Sequence, residues 1–434
     1  MSQPNNAFRV AGATMIGTAI EYFDNYMYAM AAVLVFNHQF FHSADPMSAQ
    51  LASLSTLALT FVARPLGAAI FGHFGDRIGR KNTFIMSLLL MGISTVIIGL
   101  LPTYESIGIW ATLALCLCRV GQGIGLGGEW GGAALVAIEN APQHRRGWYG
   151  IFPQLGAPIG LLLSNGVLFF VTFLFGEQAL IEWAWRIPFL SSAVLIVIGI
   201  YIRLKLTETP IFLTALEGQK IYKMPVLSVF TAYFKPFALG LLISVAGYVL
   251  FYIMIAFTQI YATGEPTVSA AGHVMGLGIS MKNFTALLLF SALSLALGTA
   301  LSGIYIDKFG RRIWLIWTTV GVLLLGVTLP LFLEQGTEWS LFWFLMIGMA
   351  LIGMGYGPLA SFLPELFPTG LRYSGASLAY NCGGIFGASI ATLVMLPLNA
   401  NYGLMAVGIY LAVNALISLA ALWKVKETRD LQLS

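Results

Sequence analysis

Apolar residues run through this chain in stretches long enough to cross a bilayer, separated by short polar breaks. The stretches lie near 10–36, 51–74, 83–101, 109–138, 148–173, 185–204, 234–262, 283–305, 313–333, 339–363, 373–396 and 403–423. About 20 apolar residues in a helix cross a hydrocarbon core of ~30 Å. The pattern therefore predicts twelve transmembrane α-helices, with helix ends placed only to within several residues.

Charge tests that count independently, because Lys and Arg gather in cytoplasmic loops. With the N-terminus inside, all but Arg64, Arg119, Arg186 and Lys282 of the 22 Lys and Arg fall on cytoplasmic segments, Arg203 and Lys220 among them. The opposite loops carry Asp45, Glu105, Glu177, Glu182, Glu265, Glu334 and Glu338. Both termini are expected in the cytoplasm, in the inner membrane of a bacterium. MSQPNNAFR shows no cleavable leader pattern, so the N-terminus is expected to be retained.

Composition agrees. The chain of 434 residues is 58% hydrophobic and 9% charged, with a mean hydropathy of +0.84. Soluble proteins carry roughly 25% charged residues. The net charge of +4 is read as a topology signal, and no nucleic-acid partner is expected. Cys116, Cys118 and Cys382 sit in apolar runs without metal or disulfide spacing and read as small core residues. His38 and His42 read as outer-loop residues, and none of the histidines has metal-ligand spacing. No cofactor is expected. Nor is an enzyme, which would need an interior nucleophile, metal or His-rich cluster.

The segment 206–233 is polar and divides the chain into an N-terminal half, 1–205, and a C-terminal half, 234–434. The halves echo each other. GHFGDRIGRK (72–81) follows span two and GIYIDKFGRR (303–312) follows span eight. Internal duplication of this kind builds secondary transporters, with the substrate site between the halves near the midplane.

Ionisable residues inside a membrane cost about 2.5–3.5 kcal/mol or more each and mark function. Glu21 and Asp24 in span one, Arg64 in span two, and Arg119 and Glu129 in span four qualify. Glu21, Asp24 and Tyr28 share one helical face, as do Arg119, Gln122, Leu126 and Glu129. Two nearby carboxylates disfavour double ionisation, which suits a proton carrier. Arg64 and Glu129 each lie about ten residues, or roughly 15 Å, from the cytoplasmic ends of their helices, which suggests a pair. GIGLGG (123–128) fits a dinucleotide fingerprint only by accident. Its glycines sit inside an apolar span and, with Gly121, Gly125 and Gly132, form small-residue contacts between helices. Gln154, Asn165, Tyr248, Tyr252, Tyr356, Tyr380 and Asn381 are further polar residues expected to line a cavity.

With its two G-x-x-x-D-R/K-x-G-R-R/K loops, the sequence resembles the major facilitator superfamily. FVARPLGAAIFGHFGDRIGRK (61–81), RVGQGIGLGGEWGGAALVAIENAP (119–142), WRIPF (185–189) and PELFPTGLRYSGASLAYN (364–381) resemble its metabolite:proton symporters, which carry shikimate, 2-oxoglutarate, citrate or proline/betaine. The match runs from span one to span eleven and is nearest to the shikimate branch. The resemblance implies an all-α fold of two pseudo-symmetric six-helix bundles, acting as a monomer in the bilayer on a small metabolite and a proton. It implies that Asp24 pairs with Arg119, twenty residues before Glu139; protonation of Asp24 is then expected to free Arg119 for a substrate carboxylate, with Arg64, Gln122 and Tyr28 also expected to bind substrate. It also implies gating roles for Asp76, Arg77, Arg80, Asp307, Arg311 and Arg312, each Asp meeting a helix N-terminus of the other half and each Arg an acid such as Glu139 or Glu365. Proton-coupled uptake of a small organic acid is the expected function. A zwitterion carrier and an efflux antiporter are the alternatives. The osmosensing relatives carry a long coiled-coil tail, whereas about ten residues follow span twelve here, so no osmosensing role is expected.

Overall fold

The computed structural model describes residues 7–41, 46–205, 208–217 and 222–431; His42, Asp45 and Lys220 lie outside them. Twelve long helical rods run through the described residues. They are α1 (Ala7–Leu34), α2 (Pro46–Ile78), α3 (Arg80–Leu100), α4 (Ile109–Glu139), α5 (Arg146–Ala179) and α6 (Arg186–Leu204). The second set is α7 (Phe234–Thr263), α8 (Met281–Phe309), α9 (Arg311–Leu333), α10 (Glu338–Glu365), α11 (Thr369–Tyr402) and α12 (Leu404–Lys424). Eleven are long and apolar enough to cross a membrane. The remaining rod, α1, carries Glu21 and Asp24 within its 28 residues.

Local chemistry sets the ends of the rods. Gly79 (φ 123) and Gly310 (φ 99) turn the chain from α2 into α3 and from α8 into α9 within one residue, using positive φ that side chains resist. Both belong to the duplicated motif, so its glycines are turn residues. At the opposite end, Ser280 caps α8 and Thr337 caps α10 through backbone N–H groups at 3.2 Å.

Glycines also set the packing. Gly123 and Gly127 bring α4 against the backbone of α2 at Thr60 and Arg64, while Gly121 and Gly125 bring it against α3 at Ser94 and Met91. This is the close approach that small residues give helices in lipid. Large apolar side chains such as Leu66, Phe173, Val197, Trp317 and Leu331 remain exposed on the outer surface, as a lipid-facing wall requires. Cys116, Cys118 and Cys382 are free and half-buried, not core residues.

The two bundles meet mainly where α2 packs on α11 and where α5 packs on α8 and α10, with α4 touching α10 and α11. The end holding the turns at Gly79 and Gly310 is called the motif end below.

Candidate functional site

At the motif end, two acids reach across the seam. Asp76 accepts from the backbone N–H groups of Tyr373 (3.2 Å) and Ser374 (2.8 Å), at the start of α11. Asp307 accepts from those of Gly147 and Trp148, both at 2.9 Å, at the start of α5. Each carboxylate thus sits on the positive end of a helix in the other bundle. Arg80 binds Asp76 at 2.7 Å, the Thr369 carbonyl at 3.0 Å and Glu139 at 3.6 Å, and Arg372 reaches Glu139 at 3.4 Å. Arg311 mirrors Arg80, with Glu365 at 2.9 Å and Asp307 at 3.6 Å. Arg77 is placed outside this cluster, exposed beside His73 of its own helix. Arg312 also stays within its own half, on the carbonyls of Leu422 and Trp423.

The sequence reading missed an outer layer of this end. Glu208 accepts from the N–H of Lys81 at 3.2 Å, and Thr209 donates to Glu139 at 2.5 Å. Glu427 accepts from the N–H groups of Arg311 (2.9 Å) and Arg312 (3.0 Å), and Thr428 donates to Glu365 at 2.6 Å. The signal was present: a Glu-Thr pair follows both span six and span twelve.

At mid-depth a cavity lies between the bundles. Tyr22, Asn25 and Tyr26 of α1 and Phe61 and Arg64 of α2 form one wall. Ser244, Tyr248 and Tyr252 of α7, Thr318 and Thr319 of α9, Tyr356 of α10 and Tyr380 of α11 form the other. Arg64 is 8% exposed, lies over the Phe61 ring at 4.6 Å, and has no ion-pair partner among the described residues. Among the described residues its Nε has no hydrogen-bond partner, and neither has the Tyr26 hydroxyl. A cross-bundle seam floors the cavity on its motif-end side. Trp130 stacks on Tyr380 at 3.9 Å and donates to Gln154 at 3.1 Å. Gln154 donates to the Tyr356 carbonyl at 2.8 Å, the Tyr22 and Tyr356 hydroxyls bond to each other, and Asn381 reaches the Gly127 carbonyl at 3.1 Å.

The remaining residues singled out in the sequence lie inside the N-terminal bundle, away from the cavity wall. Asp24 does not pair with Arg119; it accepts from Ser192 of α6 at 2.5 Å. Arg119 donates to Gln122 at 2.7 Å and lies 3.6 Å over the Tyr28 ring, and Gln122 donates to Thr95 at 2.7 Å. Tyr28 is bound to Thr56 at 2.6 Å. Glu129 does not pair with Arg64. It pairs with Arg203 of α6, which is 1% exposed and not the loop residue the charge pattern suggested, and with Ser87 at 3.0 Å. Gly17 leaves the room that the Arg203 guanidinium fills. Asn165 is bound to the Leu161 carbonyl of its own helix, and Gln154 and Asn381 belong to the seam. Of the seven polar residues expected in the cavity, Tyr248, Tyr252, Tyr356 and Tyr380 are in its wall. Tyr22, Asn25, Tyr26, Phe61, Ser244, Thr318 and Thr319 were not foreseen.

Twelve helices in two bundles, a polar and aromatic cavity between them and a charged seam closing one end define a membrane transporter. The chain belongs to the sugar (and other) transporter family of the major facilitator superfamily, whose model matches residues 10–434. It is 71% identical over 434 residues to a Haemophilus influenzae protein named for metabolite transport, covering 100% of this chain and 97% of the other. It is 47% identical to the Escherichia coli inner membrane metabolite transport protein YhjE, with 98% and 95% covered. Against the Escherichia coli shikimate transporter, identity is 32%, with 95% and 93% covered. Among solved structures, the proton:xylose symporter XylE of the same superfamily, bound to 6-bromo-6-deoxy-D-glucose, superposes with a TM-score of 0.79. Its sequence is 17% identical, with 98% and 97% covered.

Proposed function

We propose that this protein takes up a small organic acid together with a proton, by alternating access across a bacterial inner membrane, with both termini cytoplasmic. In this reading the halves 1–205 and 234–434 rock about the cavity as a monomer, and 206–233 links them. The observation that carries it is Arg64, a buried guanidinium facing the cavity without an ion-pair partner among the described residues. A buried cation without a directly bound acid is costly, and a carboxylate ligand satisfies its fork in bidentate contact.

Buried acids supply the proton sites. Glu21 and Asp24 occupy α1, the same helix that presents Tyr22, Asn25 and Tyr26 to the cavity. The charges of Glu21 and Arg64 act on each other. Protonating an acid on α1 while an anion binds Arg64 keeps the loaded carrier near neutrality, which a low-dielectric interior favours. Linkage then makes each ligand strengthen the other's binding by the same factor. The contacts at the motif end, built on Asp76, Arg80, Glu139, Asp307, Arg311 and Glu365, act as the gate that closes the cytoplasmic mouth. Individual helix-end contacts of about 1 kcal/mol suit a closure that also opens. The names of the shikimate transporter and the proton:xylose symporter support this reading.

Uptake of radiolabelled organic acids into proteoliposomes, with and without an imposed proton gradient, tests the proposal. Accumulation that needs the gradient supports it. Accumulation indifferent to the gradient, or export driven by it, overturns it. Glycine betaine belongs in the same panel, because the six tyrosines of the wall also suit a quaternary ammonium held by cation–π contact.

A further inference from the structure

The segment between the halves is polar as a whole, yet the short helix Pro225–Thr231 within it turns large apolar side chains outward. Pro225 and Val229 form its buried face, which packs on α2 of one bundle and on α7 and the start of α11 of the other. Leu227 and Phe230 lie on the opposite face. With Met224 and Phe234 at its ends they are 44–58% exposed. Such a row suits an apolar medium better than water. The hydroxyls of the helix agree: Ser228 donates to the Met224 carbonyl at 3.0 Å and Thr231 to the Leu227 carbonyl at 2.9 Å, so both protons are spent inside the helix.

Charge says which medium. Lys223 and Lys235 are exposed beyond the two ends of the helix. Lys220 adds a third cation in the sequence, and no acid falls between Glu217 and Glu265. An apolar row bracketed by lysines is the pattern of a helix lying in a membrane surface, its apolar side chains at the headgroup boundary and its ammonium groups on anionic phosphates. The lipid-facing wall is continuous with it, since α2, on which the helix packs, exposes Ile70, Phe74 and Ile78 toward the motif end.

We propose that the helix Pro225–Thr231 docks in the headgroup layer of the leaflet on the motif-end side, where Lys223 and Lys235 hold anionic phospholipid, and that this docking favours the closed motif end. The helix rests on α2 and α11 together, so its seat is complete only while those two helices are in contact. The link to closure rests on the gate reading above; the docking does not. Each lysine near an anionic surface contributes several-fold to binding, and the two together about 10-fold or more.

Labelling by a membrane-impermeant maleimide tests both parts, in the full chain with Cys116, Cys118 and Cys382 replaced by serine. Leu227→Cys reports on the docked face. Gln143→Cys, exposed at the motif end, corrects for reagent repelled by lipid charge. Relative to Gln143→Cys, Leu227→Cys is expected to react about 10-fold or more slowly in nanodiscs containing phosphatidylglycerol than in phosphatidylcholine alone. Lys223→Gln with Lys235→Gln is expected to erase that difference, as is salt near ~1 M, where the Debye length is ~3 Å. Asp76→Asn is expected to speed the reaction several-fold by loosening the seam beneath the helix. Equal relative labelling in the two lipids overturns the docking, as does a difference that survives the lysine replacements; fast labelling in both fits a soluble protein partner instead. The link fails alone if Asp76→Asn changes labelling of a cavity cysteine, Thr318→Cys, and leaves Leu227→Cys unchanged. No change at either cysteine removes the gate reading and leaves the docking.

Discussion

Asp24 rests on Ser192 and Tyr28 on Thr56 because the face of α1 that carries them turns into its own bundle. Spacing of three and four residues correctly groups Glu21, Asp24 and Tyr28, but periodicity does not say which neighbour a face meets. The adjoining face, with Tyr22, Asn25 and Tyr26, meets the cavity. The same ambiguity explains Glu129: equal depth made Arg64 a plausible partner, while Arg203 of α6 reaches it from the far side. Buried charge was therefore legible residue by residue, and pairing was not. Two predictions belong at this scale. Arg64→Gln is expected to reduce uptake at subsaturating substrate by about 10-fold or more with expression unchanged, since a charged hydrogen bond contributes about 1.5–3 kcal/mol; wild-type uptake by this variant removes Arg64 from the site. Asp24→Asn, a fixed mimic of the protonated acid, is expected to exchange labelled for unlabelled substrate yet fail to accumulate it. If the variant still accumulates substrate on a proton gradient, the proton site moves to Glu21 or Glu129.

The gate proposed above turns on the start of α11. Asp76 holds its first N–H groups, and Tyr373 inserts into a socket where Gly75, Gly131 and Gly132 leave space, its hydroxyl donating to the Gly128 carbonyl at 2.7 Å. The duplicated motif made the Asp and Arg positions readable. The socket was not readable, because it is assembled from α2 and α4 around a side chain some 250 residues further along the sequence, as its Gly128–Tyr373 separation of 245 shows. A methyl group at Gly75 would overlap the Tyr373 ring. Gly75→Ala is thus expected to disfavour closure of the motif end, and adding Tyr373→Ala is expected to restore it. Asp76→Asn removes the charge at the helix N-terminus, an interaction of about 1–2 kcal/mol, and is expected to shift the closed-to-open ratio roughly 5- to 30-fold while substrate binding persists. Transport rates and the labelling pattern described next report both. Unchanged rates and labelling in Gly75→Ala would show that the socket does not govern closure.

At the scale of the whole molecule, hydropathy and charge made the twelve rods legible, because lipid imposes one length and one polarity on every crossing helix. Neither signal carries the conformation, which depends on contacts between distant helices. Those contacts place the molecule with its motif end shut: Asp76 and Asp307 are both seated on helix ends of the other bundle, and Trp130, Gln154, Tyr356 and Tyr380 tie the floor below the cavity. A probe inside the cavity should therefore be reached from the opposite end. With Cys116, Cys118 and Cys382 replaced by serine, Thr318→Cys supplies that probe in the cavity wall. If the loops rich in Lys and Arg are cytoplasmic, a membrane-impermeant maleimide is expected to label this cysteine in right-side-out vesicles and much less in inside-out vesicles. Gly75→Ala should move labelling toward the inside-out preparation. The reverse pattern in the parent protein would mean that the motif end faces the periplasm and that the orientation drawn from the basic loops is inverted. Equal labelling from both faces would mean that the seam at the motif end does not hold the resting carrier shut.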